Sequence, residues 1–206
     1  MAQNPEASHH PKPDAGSLSV LLPFRDAEAT LDLAVQSLVN QTHQAWDLLL
    51  LDDGSRDRST NIAASWAARD KRIRHAILPA RGIVPALNQG IKMAHGDLLM
   101  RMDGDDVAHP DRMAAQLAFM AAHPEVGVSG TGVRIVGGQS GFERYQDWIN
   151  GLVTHDELVR ELFVECPIPH PTFCMRRQAV QDLGGYRDGP WPEDYDLVLR
   201  FWREGW

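Results

Sequence analysis

Between Leu18 and Asp103, short and strongly apolar runs alternate with amphipathic stretches, and each run is followed by a polar cluster. The runs are LSVLLPF, WDLLLLDDGS, IRHAIL and DLLMRMD. Apolar runs of strand length separated by segments of helical period read as parallel strands joined by crossover helices. WDLLLLDDGS is apolar on both faces, as a strand buried between two helix layers must be. The expected fold class is therefore α/β, with a Rossmann-like, mostly parallel central sheet flanked by helices. The first strand is expected to stop at Pro23.

The intervening segments support that reading. In DAEATLDLAVQSLVNQ, Leu31, Val35, Leu38 and Val39 fall at helical spacing, and in RDRSTNIAASWAARD Ile62 and Trp66 lie one turn apart. VPALNQGIKMAHG opens on Pro85 and closes on Gly96, the usual asymmetry of helix ends. Downstream, DRMAAQLAFMAAH carries Met113, Leu117 and Met120 on one side, a core stripe. VGVSGTGVRIVGG reads as an extended segment ending in a glycine turn, THDELVRELFVE as a helix and PTFCMR as a strand. PEDYDLVLRFWREGW begins a last helix, within which the sequence stops.

Size and composition narrow the class. A chain of 206 residues suffices for one domain with a real core and no disulfide or metal staples. Its formal charge of -8 argues against a nucleic-acid partner, which would favour a basic face. No run approaches the roughly 20 apolar residues of a membrane span. The two cysteines, Cys166 and Cys174, have no zinc-like spacing, and a reduced cytoplasmic setting is the simplest reading. Residues 1–16 are polar and carry proline without an apolar core, so a disordered arm is expected there rather than a secretory signal, with His9 and His10 solvated.

Ligands of open parallel sheets sit outside the carboxyl ends of the strands. Polar clusters fall at those ends: PFRD, DDGS, ARG and DGDD. DDGS alone is ambiguous, because Ser55 or Asp57 also serves to build a turn or cap a helix. The alternative is a carboxylate accepting hydrogen bonds from a base or from ribose hydroxyls. DGDD is more demanding: Asp103, Asp105 and Asp106 invite a hard divalent cation that removes their mutual repulsion. A calcium loop of the alternating-acid type does not fit, since Pro110 and Arg112 occupy its downstream part. Arg101 is placed to pair with one of the acids it precedes.

SVLLPFRDAEATL, LLLLDDGSRDRS, RGIVPALNQGIKMAHGDLLMRMDGDD and the HPTFCMRR, LGGYRD and PEDYDLVLR stretches, in that order, resemble the family 2 glycosyltransferases, inverting enzymes of the GT-A fold. The resemblance runs from Leu18 to the end. It implies one catalytic domain over residues 17–206, with a nucleotide-binding half to about residue 110, an acceptor-side half beyond it, and further sequence expected at the C-terminus. It implies that Asp103 and Asp105 engage the ribose and a diphosphate-bound Mn2+ or Mg2+, Asp105 making the direct metal contact and Asp106 standing behind. Asp53 meets the nucleotide base with Asp52 in support, Pro23 and Arg25 line the loop around base and ribose, Arg81 and Gly82 cover the nucleotide, and Asn88 lies on the helix below. Asp194 is the general base and Glu193 its neighbour.

By the same resemblance, a sugar leaves its nucleoside diphosphate, UDP by default, while an acceptor hydroxyl attacks from the opposite side. Asp194 takes the proton, and a negative neighbour with partial burial favours that role. Without the resemblance, Glu193 and Asp194 read as first-turn acids complementing a helix N-terminus after Pro192. His170 is either a sugar or diphosphate contact or a strand-start histidine satisfied by backbone; Trp191 either stacks on an acceptor sugar or joins the core. The processive motif of the family and its membrane spans are absent, which points to transfer of single sugars to a glycan or glycolipid. The expected setting is cytoplasmic, at the inner face of the membrane, with peripheral association and oligomer formation both open. Rivals are a non-catalytic sugar-nucleotide-binding fragment and a sugar-phosphate nucleotidyltransferase, although the latter wants a glycine-rich basic loop where PFRDAEATL stands.

Overall fold

The computed structural model describes residues 17–137 and 141–206. The arm expected at residues 1–16 and the last residue of the expected glycine turn, Gly138, lie outside the described residues.

Four parallel strands build most of the sheet: β1 (Leu18–Phe24), β2 (Trp46–Asp52), β3 (Ile73–Ile77) and β4 (Leu98–Arg101). The helices between them are α1 (Leu31–Val39), α2 (Ser59–Arg69) and α3 (Ile83–Met93), and α4 (Arg112–Ala122) follows β4. Then come β5 (Val128–Ser129), α5 (Phe142–Asn150), α6 (His155–Glu161), a 3-10 turn at His170–Thr172, β6 (Cys174–Arg176), α7 (Arg177–Asp182) and α8 (Glu193–Arg203). Strand order is β3-β2-β1-β4-β6-β5, and β6 runs antiparallel to both β4 and β5.

Sheet alternation divides the core. Leu48 and Leu50 face the layer formed by α1, α2 and α4, while Leu49 and Leu51 face α3 and α8, and all four are fully enclosed. Burying each such leucine stabilises the fold by about 1.5–3 kcal/mol. α6 is fixed at its start by a capping box, in which Thr154 and Glu157 satisfy each other's backbone N–H groups. Arg176 donates to the carbonyls of Met120, His123 and Val126 at 2.8–2.9 Å, so a cation closes the C-terminal end of α4.

The structure corrects several expectations. β1 runs through Pro23 to Phe24, with Pro23 opposite Leu51. The carbonyl of Leu21 faces the β4 side, where it accepts from Met102, and alternation turns Pro23 the same way. There the β1–β4 ladder has already ended at Leu21 and Arg101, so the missing N–H costs no bond. The extended segment contributes only Val128 and Ser129 to the sheet. Beyond them, Asn150 of α5 accepts from and donates to the Val133 backbone at 2.8 Å, and Gln146 accepts from Ile135 N–H at 2.7 Å. Side-chain amides of an unexpected helix stand in for a neighbouring strand. α7 is also unexpected, and PTFCMR is strand only over Cys174–Arg176.

Gly96, before β4, packs directly on the β1 backbone: a Cβ there would lie 2.7 Å from the Leu18 carbonyl carbon and 2.8 Å from the Ser17 oxygen. Its N–H meets the Ser19 hydroxyl at 2.8 Å. Backbone cannot yield as a side-chain tip does, so Gly96→Ala is expected to cost about 2 kcal/mol or more. A melting curve should fall by roughly 4–8 °C; an unchanged midpoint would show that the β1–α3 junction is slack.

Candidate active site

The carboxyl ends of β1, β2 and β4 and the start of α8 meet on one edge of the sheet. At the end of β2, Asp52 is fully enclosed and accepts from Ser55 N–H at 2.8 Å and from the Thr60 hydroxyl at 2.5 Å. It builds the turn into α2. That placement corrects its expected inclusion among nucleotide contacts, because an enclosed carboxylate with these partners has no route to a ligand. Pro23 is likewise buried within β1 rather than in the loop that follows. Ser55 and Asp57 bind the β1–α1 loop: Asp26 N–H donates to the Ser55 hydroxyl, and the N–H groups of Glu28 and Ser59 donate to Asp57.

Asp53, the next residue, is turned toward the loop before α3. Its oxygens accept from Arg81 N–H at 2.8 Å and from Gly82 N–H at 3.0 and 3.2 Å, and Arg25 Nη1 stands 3.8 Å away. Gly82 takes φ of 96° there, a left-handed conformation that favours glycine at this close turn. A carboxylate at the start of α3 also complements the helix dipole. Oδ1 accepts from both N–H groups and Oδ2 from Gly82 alone, so Oδ2 keeps a further lone pair and holding the loop does not exhaust Asp53. Arg25 and Arg81 are exposed at the rim. Asn88 pairs with Tyr186: its amide nitrogen donates to Tyr186 O at 2.8 Å and its oxygen accepts from Tyr186 N–H at 2.9 Å. It brackets α3 to the loop before α8.

At the end of β4, Arg101 is 3% exposed and pairs through Nη2 with Asp103 Oδ1. Its Nε and Nη1 are buried without a hydrogen-bond partner. The buried guanidinium of Arg112 donates to the Arg101 carbonyl at 2.8 Å and so fixes the strand end. Burial raises the pKa of Asp103 above the ordinary carboxylate value; Arg101 opposes this, and the charges of Asp105 and Asp194 add to it. Asp106 is raised in the same direction, by burial first and then by Asp103 and Asp105. Asp105 itself is exposed.

This donor set fits a divalent cation. Asp103 is partly desolvated and feels the charges of both Asp105, two residues on, and Asp194, from a distant part of the chain. Oxygen donors of that kind suit Mn2+ or Mg2+, and a cation there offsets the repulsion that raises Asp103.

Glu193 and Asp194 open α8 after Pro192, and Tyr195 N–H donates to Asp194 Oδ1 at 2.8 Å. The Cys166 thiol lies close to Asp194; burial, then the Asp194 charge, pushes its pKa up to about 12. His170 is 9% exposed; its Nε2 meets the Tyr186 hydroxyl at 3.0 Å and its Nδ1 stands 3.5 Å from Glu193 Oε1. Burial, helped by Arg101, holds this imidazole well below its ordinary pKa. Trp191, 48% exposed, lines a cavity of about 210 Å³ together with Arg81, Gly82, Arg187 and Glu193. It is not core.

Sequence reading alone passed over Tyr186, Cys166 and Arg187 as site residues. Tyr186 and Arg187 lay in the LGGYRD stretch, whose paired glycines before an aromatic signal a tight loop. Nothing local marks Cys166, which acquires its neighbour only when α8 packs against the segment after α6.

The profile of the family described as "Glycosyl transferase family 2" matches residues 19–184. The chain is 33% identical over 195 residues to the Bacillus subtilis protein EpsE, described as a glycosyltransferase, covering 91% of this chain and 67% of that protein. It is 28% identical over 185 residues to the amylovoran biosynthesis glycosyltransferase AmsE of Erwinia amylovora, covering 89% and 68%. Among solved structures, S. aureus TarS 1-349 in complex with UDP-GlcNAc superposes with a TM-score of 0.72 at 20% identity, over 89% of this chain and 52% of that one. The mannosyltransferase PcManGT of Pyrobaculum calidifontis, in complex with GDP-Man and Mn2+, gives 0.71 at 16% identity, over 93% and 53%. The chain thus spans about two thirds of these relatives and about half of the solved chains.

Proposed function

The chain belongs to glycosyltransferase family 2, and from that premise we propose that it moves a single sugar from a nucleoside-diphosphate sugar to a hydroxyl of a glycan or glycolipid, with inversion at the anomeric carbon. The reading rests on placement: Asp103 and Asp105 follow β4, Asp194 lies in the first turn of α8, and the charges of Asp105 and Asp194 both bear on Asp103. On this reading the acids after β4 grip the diphosphate and Asp194 accepts the proton.

Each residue has a task that follows from its position. Asp53 holds the Arg81–Gly82 loop over the donor, and Arg25 and Arg81 offer cationic groups at the rim for base, ribose or phosphate. Arg101 fixes the Asp103 carboxylate toward the ribose side. When bound, a Mn2+ or Mg2+ ion held by Asp105 with Asp103 beside it offsets the negative charge that develops on the departing diphosphate. Asp194 accepts the acceptor's hydroxyl proton as the oxygen attacks from the face opposite the leaving group. Trp191, half exposed beside Glu193, offers a ring face on which an acceptor sugar stacks.

UDP is the donor nucleotide to test first, in keeping with the UDP-GlcNAc bound by TarS, and a Mn2+ requirement is in keeping with PcManGT. Surface polysaccharide or a related glycoconjugate, assembled at the cytoplasmic face of the membrane, is the proposed pathway class, in line with the amylovoran role in the name of AmsE. Among the described residues no helix is long and apolar enough to cross a membrane. Calorimetric titration with UDP, GDP and dTDP, each with and without Mn2+, tests the donor site. One nucleotide should bind at least tenfold more tightly with the metal; equal binding with and without Mn2+, or no binding, would overturn the metal-dependent reading.

A further inference from the structure

His170, Glu193 and Asp194 each offer one ligand atom, and these atoms lie within 4.8 Å of one another. Among the described residues they form a histidine-containing cluster on the acceptor side, apart from the Asp103 and Asp105 pair. One pair in the cluster has the spacing of two ligands of a single ion. Zinc-type bonds of about 2.0–2.2 Å at tetrahedral angles put neighbouring ligand atoms roughly 3.4 Å apart. Nδ1 of His170 and Oε1 of Glu193 stand 3.5 Å apart.

The surroundings are those of a ligand histidine. The His170 ring is buried and packs against Phe173 at a centroid distance of 4.9 Å, which fixes its plane. Nε2 is engaged by the Tyr186 hydroxyl at 3.0 Å, so Nδ1 is the ring atom left to face the two carboxylates. Metal-binding imidazoles commonly have their second nitrogen held in this way. Arg101, the nearby cation, directs Nη2 to Asp103, and its Nε and Nη1 have no hydrogen-bond partner. Pro192 and the first turn of α8 set Glu193 and Asp194 side by side, and both remain partly open to solvent, which leaves a path for an ion.

We infer that His170, Glu193 and Asp194 form a second cation site, selective for a borderline transition ion such as Zn2+ or Co2+ over Mg2+. One imidazole with two carboxylates makes a three-ligand set with an open fourth position, and the imidazole favours a borderline transition ion over Mg2+, which takes oxygen donors. The site shares no ligand with the donor-side pair, although the Asp194 charge is felt at Asp103. Given the role proposed for Asp194, an ion bound here occupies the oxygen that would take the acceptor's proton, so micromolar zinc inhibits transfer. The binding claim itself does not need that role.

Co2+ is the probe, because its visible absorption reports four-coordinate geometry and needs neither donor nor acceptor. The titration is made on the Asp105→Ala chain, where the donor-side metal contact is removed. One equivalent of Co2+ is expected to bind with intense visible bands and to be displaced by Zn2+ but not by equimolar Mg2+. Glu193→Gln and His170→Gln, added singly, should each weaken binding at least tenfold; melting curves identify a variant that fails to fold, and the partly exposed Glu193 keeps the test available if His170→Gln does so. No cobalt bands in the Asp105→Ala chain, or affinity unchanged in a folded Glu193→Gln variant, would overturn the site. A failed donor titration with an intact cobalt signature would instead count against the donor reading alone.

Discussion

Asp194→Asn should lower kcat by about 10²–10⁴-fold, the usual worth of a positioned general base. Donor affinity should stay within about threefold of the unsubstituted chain. The split follows from placement. Asp194 lies in the first turn of α8, and its Oδ1 accepts from Tyr195 N–H, a bond that the asparagine oxygen can also accept. The substitution therefore keeps shape and helix start while removing the capacity to take a proton. Steady-state kinetics beside nucleotide calorimetry separate the two quantities. Retention of more than a tenth of kcat would move the proton acceptor elsewhere, and Glu193 would be the next group to substitute.

The second large effect belongs to Asp105→Ala. Asp105 is exposed on the β4 side of the site, so its loss leaves no cavity and should not move the melting midpoint by more than about 2 °C. Its expected effect is on binding: the gain in nucleotide affinity produced by Mn2+ disappears, and kcat/KM falls by about 10²-fold or more as charge on the leaving diphosphate goes unopposed. Asp103→Ala differs in kind. It leaves Arg101, already carrying two buried N–H groups without partners, with no carboxylate at all. A buried guanidinium stripped of its partner is strongly destabilising, so that variant should unfold at a visibly lower temperature. A pair of substitutions two residues apart thus separates metal contact from structural charge pairing.

Much of the GT-A fold was legible because its central strands are apolar on both faces. Leu48 to Leu51 have no other environment available than the middle of a two-layered sheet. What escaped reading had weaker local signals. α5 carries Phe142, Tyr145 and Ile149 at helical spacing, yet it buries only Ile149 and its nine residues hold five polar ones, a short and mostly polar signal. α7 has six residues, less than two turns, and follows a strand with no linker. The VGVSGTGVRIVGG stretch alternates like a strand, yet only Val128 and Ser129 pair with β6, and the backbone of Val133 and Ile135 bonds to side-chain amides of α5, which no pattern in the segment itself announces.

At the site, residue types were easier to read than their work. The acids of DGDD stood out because core packing gives no reason for them. The two acids of DDGS looked alike, and only the fold distinguishes Asp52, enclosed under Ser55 and Thr60, from Asp53, which clamps the loop before α3. Asn88 was placed near the nucleotide by resemblance; its pairing with Tyr186 depends on a contact 98 residues away along the chain. His170 and Glu193 meet for the same reason, through packing of α8 onto the 3-10 turn before β6.

The central claim is a single displacement, with Asp194 on the face opposite the diphosphate. Its most direct measurement is proton NMR of the sugar released early in the reaction when water stands in for the acceptor, using whichever α-linked nucleotide sugar binds in the presence of Mn2+. The account predicts that the β anomer appears first and equilibrates later. Initial release of the α anomer would mean retention, and an in-line displacement assisted by Asp194 would be contradicted.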